Sequence, residues 1–180
     1  SKQVNAKIEA YSTGGCFTEK SANSILFASP RLEFDDLPQY CNSVNENILL
    51  TQAKDTSSFT GNGYYYGDGI VNNNFFNPSV ASSGNHLIYY KYTLSNGCAD
   101  SVSKNIKVGI QPTVNAGPDE TILQGGITQL TATVIGGDNL LYTWSPGTGL
   151  SNTAILNPDA FPAQDTYYTL NAVNNDGCSN

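Results

Sequence analysis

Apolar and polar residues alternate at period two over much of this chain. Ile88, Tyr90 and Tyr92 stand two apart, as do Tyr168, Leu170 and Ala172. That period belongs to strands with one buried face. No stretch sustains the 3.6-residue apolar period of an amphipathic helix. Asn62-Gly63, Asp68-Gly69, Asn96-Gly97 and Asp176-Gly177 punctuate the pattern and favour turns with positive φ. The pattern predicts strands near 31–35, 46–52, 57–60, 63–66, 74–77, 86–95 and 101–110. Further strands are expected near 120–123, 127–135, 140–145, 153–157 and 165–174, with almost no helix. Short strands with turn signals about every 8–12 residues indicate β-sandwiches.

The pattern also repeats. Gly15-Cys16, Gly97-Cys98 and Gly177-Cys178 are spaced by 82 and 80 residues. Residues 64–98 align with 144–178 without a gap, setting GDGIVNNNFFNP (67–78) over GTGLSNTAILNP (147–158). Ala6, Ile8 and Ala10 fall in the same series, and Cys16 stands as far from Pro30 as Cys98 does from Pro112. The expected organisation is therefore three pieces of a tandem array. Residues 1–30 are the last two strands of one repeat, 31–112 a complete repeat, and 113–180 a repeat lacking its final strand. Pro30 and Pro112 mark the junctions, and short Pro-bearing links suit a semi-rigid string of modules.

Composition narrows the function classes. Charged residues are 13% of the 180, and the formal net charge is −7. Without a Lys/Arg cluster, such a surface repels nucleic acid and offers no polybasic membrane patch. No apolar run is long enough to span a bilayer.

The cysteines Cys16, Cys41, Cys98 and Cys178 lack the close spacing of a zinc site, and disulfides are the better reading. Cys41 and Cys98 fall in one repeat and are the expected pair, worth roughly 4 kcal/mol in the chain-entropy model. Leu123 stands where the third repeat would carry its first cysteine. Cys16 and Cys178 are then unpaired within the chain. They are either buried thiols or, for Cys178, a partner in an intermolecular bond.

Trp144 is the only tryptophan. A central-strand tryptophan commonly packs between the sheets of an immunoglobulin-like sandwich. The gapless alignment puts Tyr64 at the equivalent place. Tyr64, Trp144, Tyr90 and Leu170 are the expected core, which leaves Tyr65 alone on the outside.

The stretch VNAGPDETILQGG through LYTWSPGTGLSNTAILNPDAFPAQDTYYTLNAVNNDGC (114–178) resembles the PKD-like and Ig-like tandem repeats of large Bacteroidota surface proteins. PQYC (38–41), TGNG (60–63), FFNP (75–78) and YKYTLSNGCADSV (90–102) look like a partner module in the same proteins. The resemblance covers essentially the whole chain. It implies an extracellular, cell-surface protein of the gliding-motility adhesin type, exported by type IX secretion, in which such repeats act as spacers. It implies neighbouring repeats of the same long chain as partners, together with other surface proteins or glycans.

Candidate chemistry is sparse. His86 is the only histidine, and a solvent-facing residue at a strand start is the ordinary reading of it. Catalysis is not expected, nor any cofactor. Asp119 and Glu120 are the candidates for calcium, but turn-forming acids explain them better and no metal is expected. Tyr65 is the candidate glycan contact, a weak platform because neighbours on a strand point to opposite faces. Asp100-Ser101-Val102 resembles the Bacteroidota acceptor motif for O-glycosylation, which marks Ser101. The leading expectation is an all-β, non-enzymatic stalk segment of an extracellular adhesin or fibre-like protein. The alternatives are a glycan- or surface-binding module and an accessory domain of a secreted glycosidase.

Overall fold

The computed structural model describes the backbone of residues 2–11, 17–26 and 29–180, and side chains from Ser29 onward. Cys16 and the side chains of Ala6, Ile8 and Ala10 lie outside the described residues. The chain forms tandem immunoglobulin-like β-sandwiches. At its start, β1 (Lys2–Tyr11) pairs antiparallel with β2 (Phe17–Leu26) over ten rungs, from Lys2↔Leu26 to Tyr11↔Phe17.

The next sandwich holds β3 (Leu32–Phe34), β4 (Tyr40–Cys41), β5 (Ile48–Leu49), β6 (Ala53–Asp55), β7 (Gly61–Tyr66), β8 (Ile70–Val71), β9 (Phe75–Phe76), β10 (Gly84–Leu94) and β11 (Ala99–Gly109). Its large sheet runs β4-β11-β10-β7, and β3-β6 and β5-β9-β8 form smaller sheets. Their inner residues meet in one cluster that includes Phe34, Leu50, Tyr65, Phe76, Ile88, Tyr90, Ile106 and Val108. Alternation along β10 and β11 sends Ile88, Tyr90, Ile106 and Val108 inward. Burying such side chains stabilises by about 1.5–3 kcal/mol each.

The single described helix, α1 (Pro78–Ala81), is one turn long. Asn77 caps it, its Oδ1 accepting from the Ser79 and Val80 amides at 3.0 and 3.2 Å. Proline at the first helical position adds a preset φ.

The second sandwich contains β12 (Thr113–Asn115), β13 (Thr128–Gln129), β14 (Thr133–Ile135), β15 (Leu141–Ser145), β16 (Asp159–Ala160) and β17 (Thr169–Val173). The pairs are β12–β14, β13–β16 and β15–β17. Ala132, Trp144, Leu150, Ala160 and Leu170 form its buried cluster.

The expected strands at 57–60, 120–123 and 153–157 do not form, while β4, β6, β8, β12 and β16 arise where none was expected. The expected strand 127–135 is broken in the middle. There the Leu130 amide donates to the Pro158 carbonyl and the Ala132 amide to Asn157 Oδ1, at 2.9 and 2.8 Å. A side-chain oxygen in place of a ladder carbonyl interrupts the strand.

The alignment of the two sandwiches is not gapless. Tyr65 and Trp144 are the equivalent residues. Both are 3% exposed, and their amides donate to the carbonyls of Asn73 and Thr153. Beyond this strand the 80-residue offset holds, as in the turn bonds Ile70 N to Gly67 O and Leu150 N to Gly147 O. The second sandwich fits one more residue between Trp144 and Gly149 than the first has between Tyr65 and Gly69, at the cis Ser145-Pro146 step. A one-residue slip exchanges the two faces of a strand. Tyr64, expected in the core, is therefore outside, and Tyr65, expected outside, is core.

Candidate functional site

Two features of the surface have built geometry. The first is the junction between the sandwiches. Residues 174–178 form a tight turn after β17, shaped by Asn174. Its buried side chain accepts from the amides of Asp176 and Cys178 through Oδ1, each at 3.0 Å. Its Nδ2 donates across the junction to the Ile110 carbonyl at 2.6 Å. Gln39 Nε2 donates to the Asp176 carbonyl at 2.8 Å, and Asn180 Nδ2 to the Pro112 carbonyl at 3.0 Å. Lys107 makes an ion pair with Asp176.

These contacts bring Cys178 against Cys41. The two form a disulfide with Cα atoms 5.7 Å apart, and Cys178 is 1% exposed. A Cβ on Gly109 would lie 2.8 Å from Cys178 Sγ and 2.8 Å from Asp176 Cβ. Glycine is what lets the end of β11 touch the turn.

The expected Cys41–Cys98 bond does not form, and Cys98 is a free, half-buried thiol. The reason is the parallel pairing of β4 with β11, which sets Cys41 opposite Gly109. Cys98 precedes Ala99 at the other end of that eleven-residue strand. The strand separates the two by about 33 Å, whereas a disulfide spans at most about 7 Å between Cα atoms. The expectation assumed that a bond closes within one repeat. A bond between neighbouring repeats carries no marker in a single sequence.

The second feature is the outer face of the β7–β10 pair. Tyr64 and Tyr66 of β7 project outward with Tyr89 of β10. Tyr66 and Tyr89 are directly paired and stack at 4.9 Å with an interplanar angle of 11°, and Tyr64 lies 6.0 Å from Tyr66. Leu87, Lys91, Ser101, Ser103 and Asn105 continue this face through the β10–β11 register. Ser101 is exposed and stands opposite Lys91.

Tyr65 points the other way. Its ring packs on Tyr90 at 4.9 Å and on Phe34 at 5.8 Å, and its Oη accepts from the Ala53 amide at 2.9 Å. Burial raises the pKa of both Tyr65 and Tyr90 above the ordinary phenol value. Tyr90, Trp144 and Leu170 are buried. The Trp144 Nε1–H donates to the Ile155 and Leu156 carbonyls at 3.1 and 3.3 Å.

His86 is 9% exposed rather than solvent-facing. One ring nitrogen lies 3.0 Å from the Ser82 carbonyl and the other 3.7 Å from Asp68 Oδ2. Asp119 and Glu120 are exposed. Among the described residues no three of His, Cys, Asp or Glu gather as a metal site would require. No described helix is long and apolar enough to cross a membrane.

No protein-family model matches the sequence, and no curated protein matches it. Nine solved chains are similar, two of them at the low scores that follow. One is the SGBP-B protein of the Bacteroides ovatus mixed-linkage glucan utilization locus, in complex with a mixed-linkage heptasaccharide. It shares 14% identity at a TM-score of 0.34, over 85% of this chain and 46% of that one. The other is the human desmocollin-1 ectodomain, with 11% identity and a TM-score of 0.38, over 99% of this chain and 42% of that one. The chain spans less than half of either protein, and at these scores neither likeness bears on what it does.

Proposed function

We propose that this chain is a non-enzymatic spacer segment of an extracellular surface protein, built from repeats at 1–30, 31–112 and 113–180. The observation that carries this reading is the covalent clamp between the two sandwich cores. Cys41–Cys178, the Asn174 and Asn180 amides and the Lys107–Asp176 pair all join one sandwich to the next. A disulfide of this kind persists in an oxidising compartment. A spacer needs fixed geometry between its modules, and this junction supplies it. The sequence resemblance extends the reading to a gliding-motility adhesin exported by type IX secretion.

The test is the orientation of the two sandwiches in solution, followed by residual dipolar couplings. The oxidised chain should give one alignment tensor for both. Reduction should let the two tensors diverge. Divergent tensors in the oxidised chain would sink the spacer reading.

A second reading is favoured by the outward tyrosines. Tyr64, Tyr66 and Tyr89 form a larger aromatic surface than the single ring expected, and polar Lys91, Ser101 and Ser103 border it. Such a face suits a glycan, with rings against apolar sugar faces and hydroxyls to the polar border. Saturable binding on a glycan array, lost on Tyr66→Ala with unchanged folding, would support it. An array with no retained sugar removes it.

A further inference from the structure

The two sandwiches share one ladder and dress its outer face differently. In the first, Tyr64 pairs with Lys91 and Tyr66 with Tyr89. In the second, the equivalent rungs pair Thr143 with Asn171 and Ser145 with Thr169. Those four residues are exposed, short and uncharged. The sandwich therefore needs neither rings nor charge at these places, and the first sandwich has both.

Lys91 stands apart from the other cations. Every other lysine with a described side chain is in an ion pair: Lys54 with Glu33, Lys104 with Asp36 and Lys107 with Asp176. Among the described residues Lys91 has no carboxylate partner. It is half-buried, with Tyr64 opposite it on one neighbouring strand and Ser101 on the other. The row Tyr64, Lys91, Ser101 crosses three strands, about 10 Å, with the ammonium in the middle. Along β7, β10 and β11 the sequence supplies one carboxylate, Asp100. It stands opposite Tyr92, which packs against the core, so it belongs to the other face.

The hydroxyls of this face are also uncommitted. Tyr65 and Tyr168 spend theirs on backbone groups. Among the described residues the hydroxyls of Tyr64, Tyr66, Tyr89, Ser101 and Ser103 have no such partner.

We propose that this face binds an acidic glycan, a polymer of uronate sugars, with the Lys91 ammonium donating to a sugar carboxylate. The proposal rests on the glycan reading above and adds the charge of the ligand. A neutral glycan laid over Tyr64 and Tyr66 would strip water from a half-buried ammonium and return no counter-charge, which is costly. A carboxylate compensates that loss with a charge-assisted hydrogen bond. The serine and phenol hydroxyls serve the sugar hydroxyls. The chain's net charge of −7 does not prevent this, because charges more than about 8 Å away are screened at physiological salt.

The probes are polygalacturonate and polymannuronate, titrated calorimetrically into the full chain. Fully methyl-esterified polygalacturonate keeps the sugar and removes the charge, and polyglutamate keeps the charge and removes the sugar. A uronate polymer should bind saturably. Esterification and Lys91→Gln should each weaken binding about tenfold, the scale of one charge-assisted hydrogen bond, while Lys91→Arg should retain it. Raising salt from about 0.05 to about 0.5 M should weaken the wild type more than Lys91→Gln. An unchanged thermal midpoint in Lys91→Gln shows that folding is intact. Equal binding of the esterified polymer, or by Lys91→Gln, overturns the charged ligand and leaves the glycan reading standing. Equal binding of polyglutamate overturns the sugar. Failure of both uronates overturns the proposal; a neutral sugar held on the array would then preserve the glycan reading, and an empty array would remove that as well.

Discussion

The side-chain amide of Asn174 donates to the carbonyl of Ile110 at 2.6 Å, while its Oδ1 accepts from Asp176 and Cys178. One buried residue thus both folds the turn of the second sandwich and fastens it to the first. Asn174→Ala leaves the Ile110 carbonyl and two turn amides without these partners. Unpaired buried groups cost about 1–3 kcal/mol each. The expected result is a lower midpoint in thermal unfolding and faster reduction of Cys41–Cys178 by dithiothreitol. An unchanged reduction rate would mean that the turn holds its shape without Asn174.

The disulfide closes a loop of 137 residues. In the chain-entropy model such a loop is worth about 5 kcal/mol. Cys41→Ser should lower the thermal midpoint and split the unfolding into two transitions, one for each buried cluster, in scanning calorimetry. Cys98→Ser should leave both the midpoint and the cooperativity of the oxidised chain nearly as they are. Equal effects of the two substitutions would contradict the observed pairing.

Neighbouring tyrosines should behave oppositely. Tyr65→Ala removes a ring packed on Phe34 and Tyr90 and should cost about 3–5 kcal/mol by chemical denaturation. Tyr66→Ala removes an exposed cross-strand stack worth about 0.2–1 kcal/mol. The reversed order would restore the gapless alignment of the two sandwiches.

Alkaline pH should destabilise the first sandwich. Desolvation raises the folded pKa of Tyr65 and, more strongly than its neighbouring phenols do, that of Tyr90. A raised folded pKa means the native state holds these protons more tightly than the unfolded chain. Their contribution is fully present below the unfolded pKa of about 10 and is lost as pH rises through the higher folded value. Tyrosinate absorbance and circular dichroism should therefore change together above about pH 10. Full tyrosinate formation with native circular dichroism would contradict this.

Much of the architecture was legible because period-two alternation and Gly-bearing turns are local signals. β17 falls within an expected strand and β10 overlaps one, starting two residues earlier, for that reason. The face of β7 was not legible. All three of Tyr64, Tyr65 and Tyr66 are aromatic, so alternation is silent there, and parity came only from an alignment that hid one extra residue near Pro146. The disulfide was not legible either, because it depends on which end of β11 receives β4, a tertiary choice with no sequence marker.

The position of Cys41–Cys178 has a consequence for a chain under tension. Cys41 lies near the beginning of the first sandwich and Cys178 near the end of the second. A pull applied outside these two residues passes from one sulfur to the other and bypasses the second core and all of the first except β3, which precedes Cys41. The enclosed polypeptide, with a contour of roughly 450–490 Å if drawn out, cannot lengthen while the bond holds. Force would act instead on β3, which pairs with β6, and on the β1–β2 pair. The same bond acts as a mechanical fuse: in reducing surroundings the hidden length becomes available, and the segment changes from inextensible to compliant.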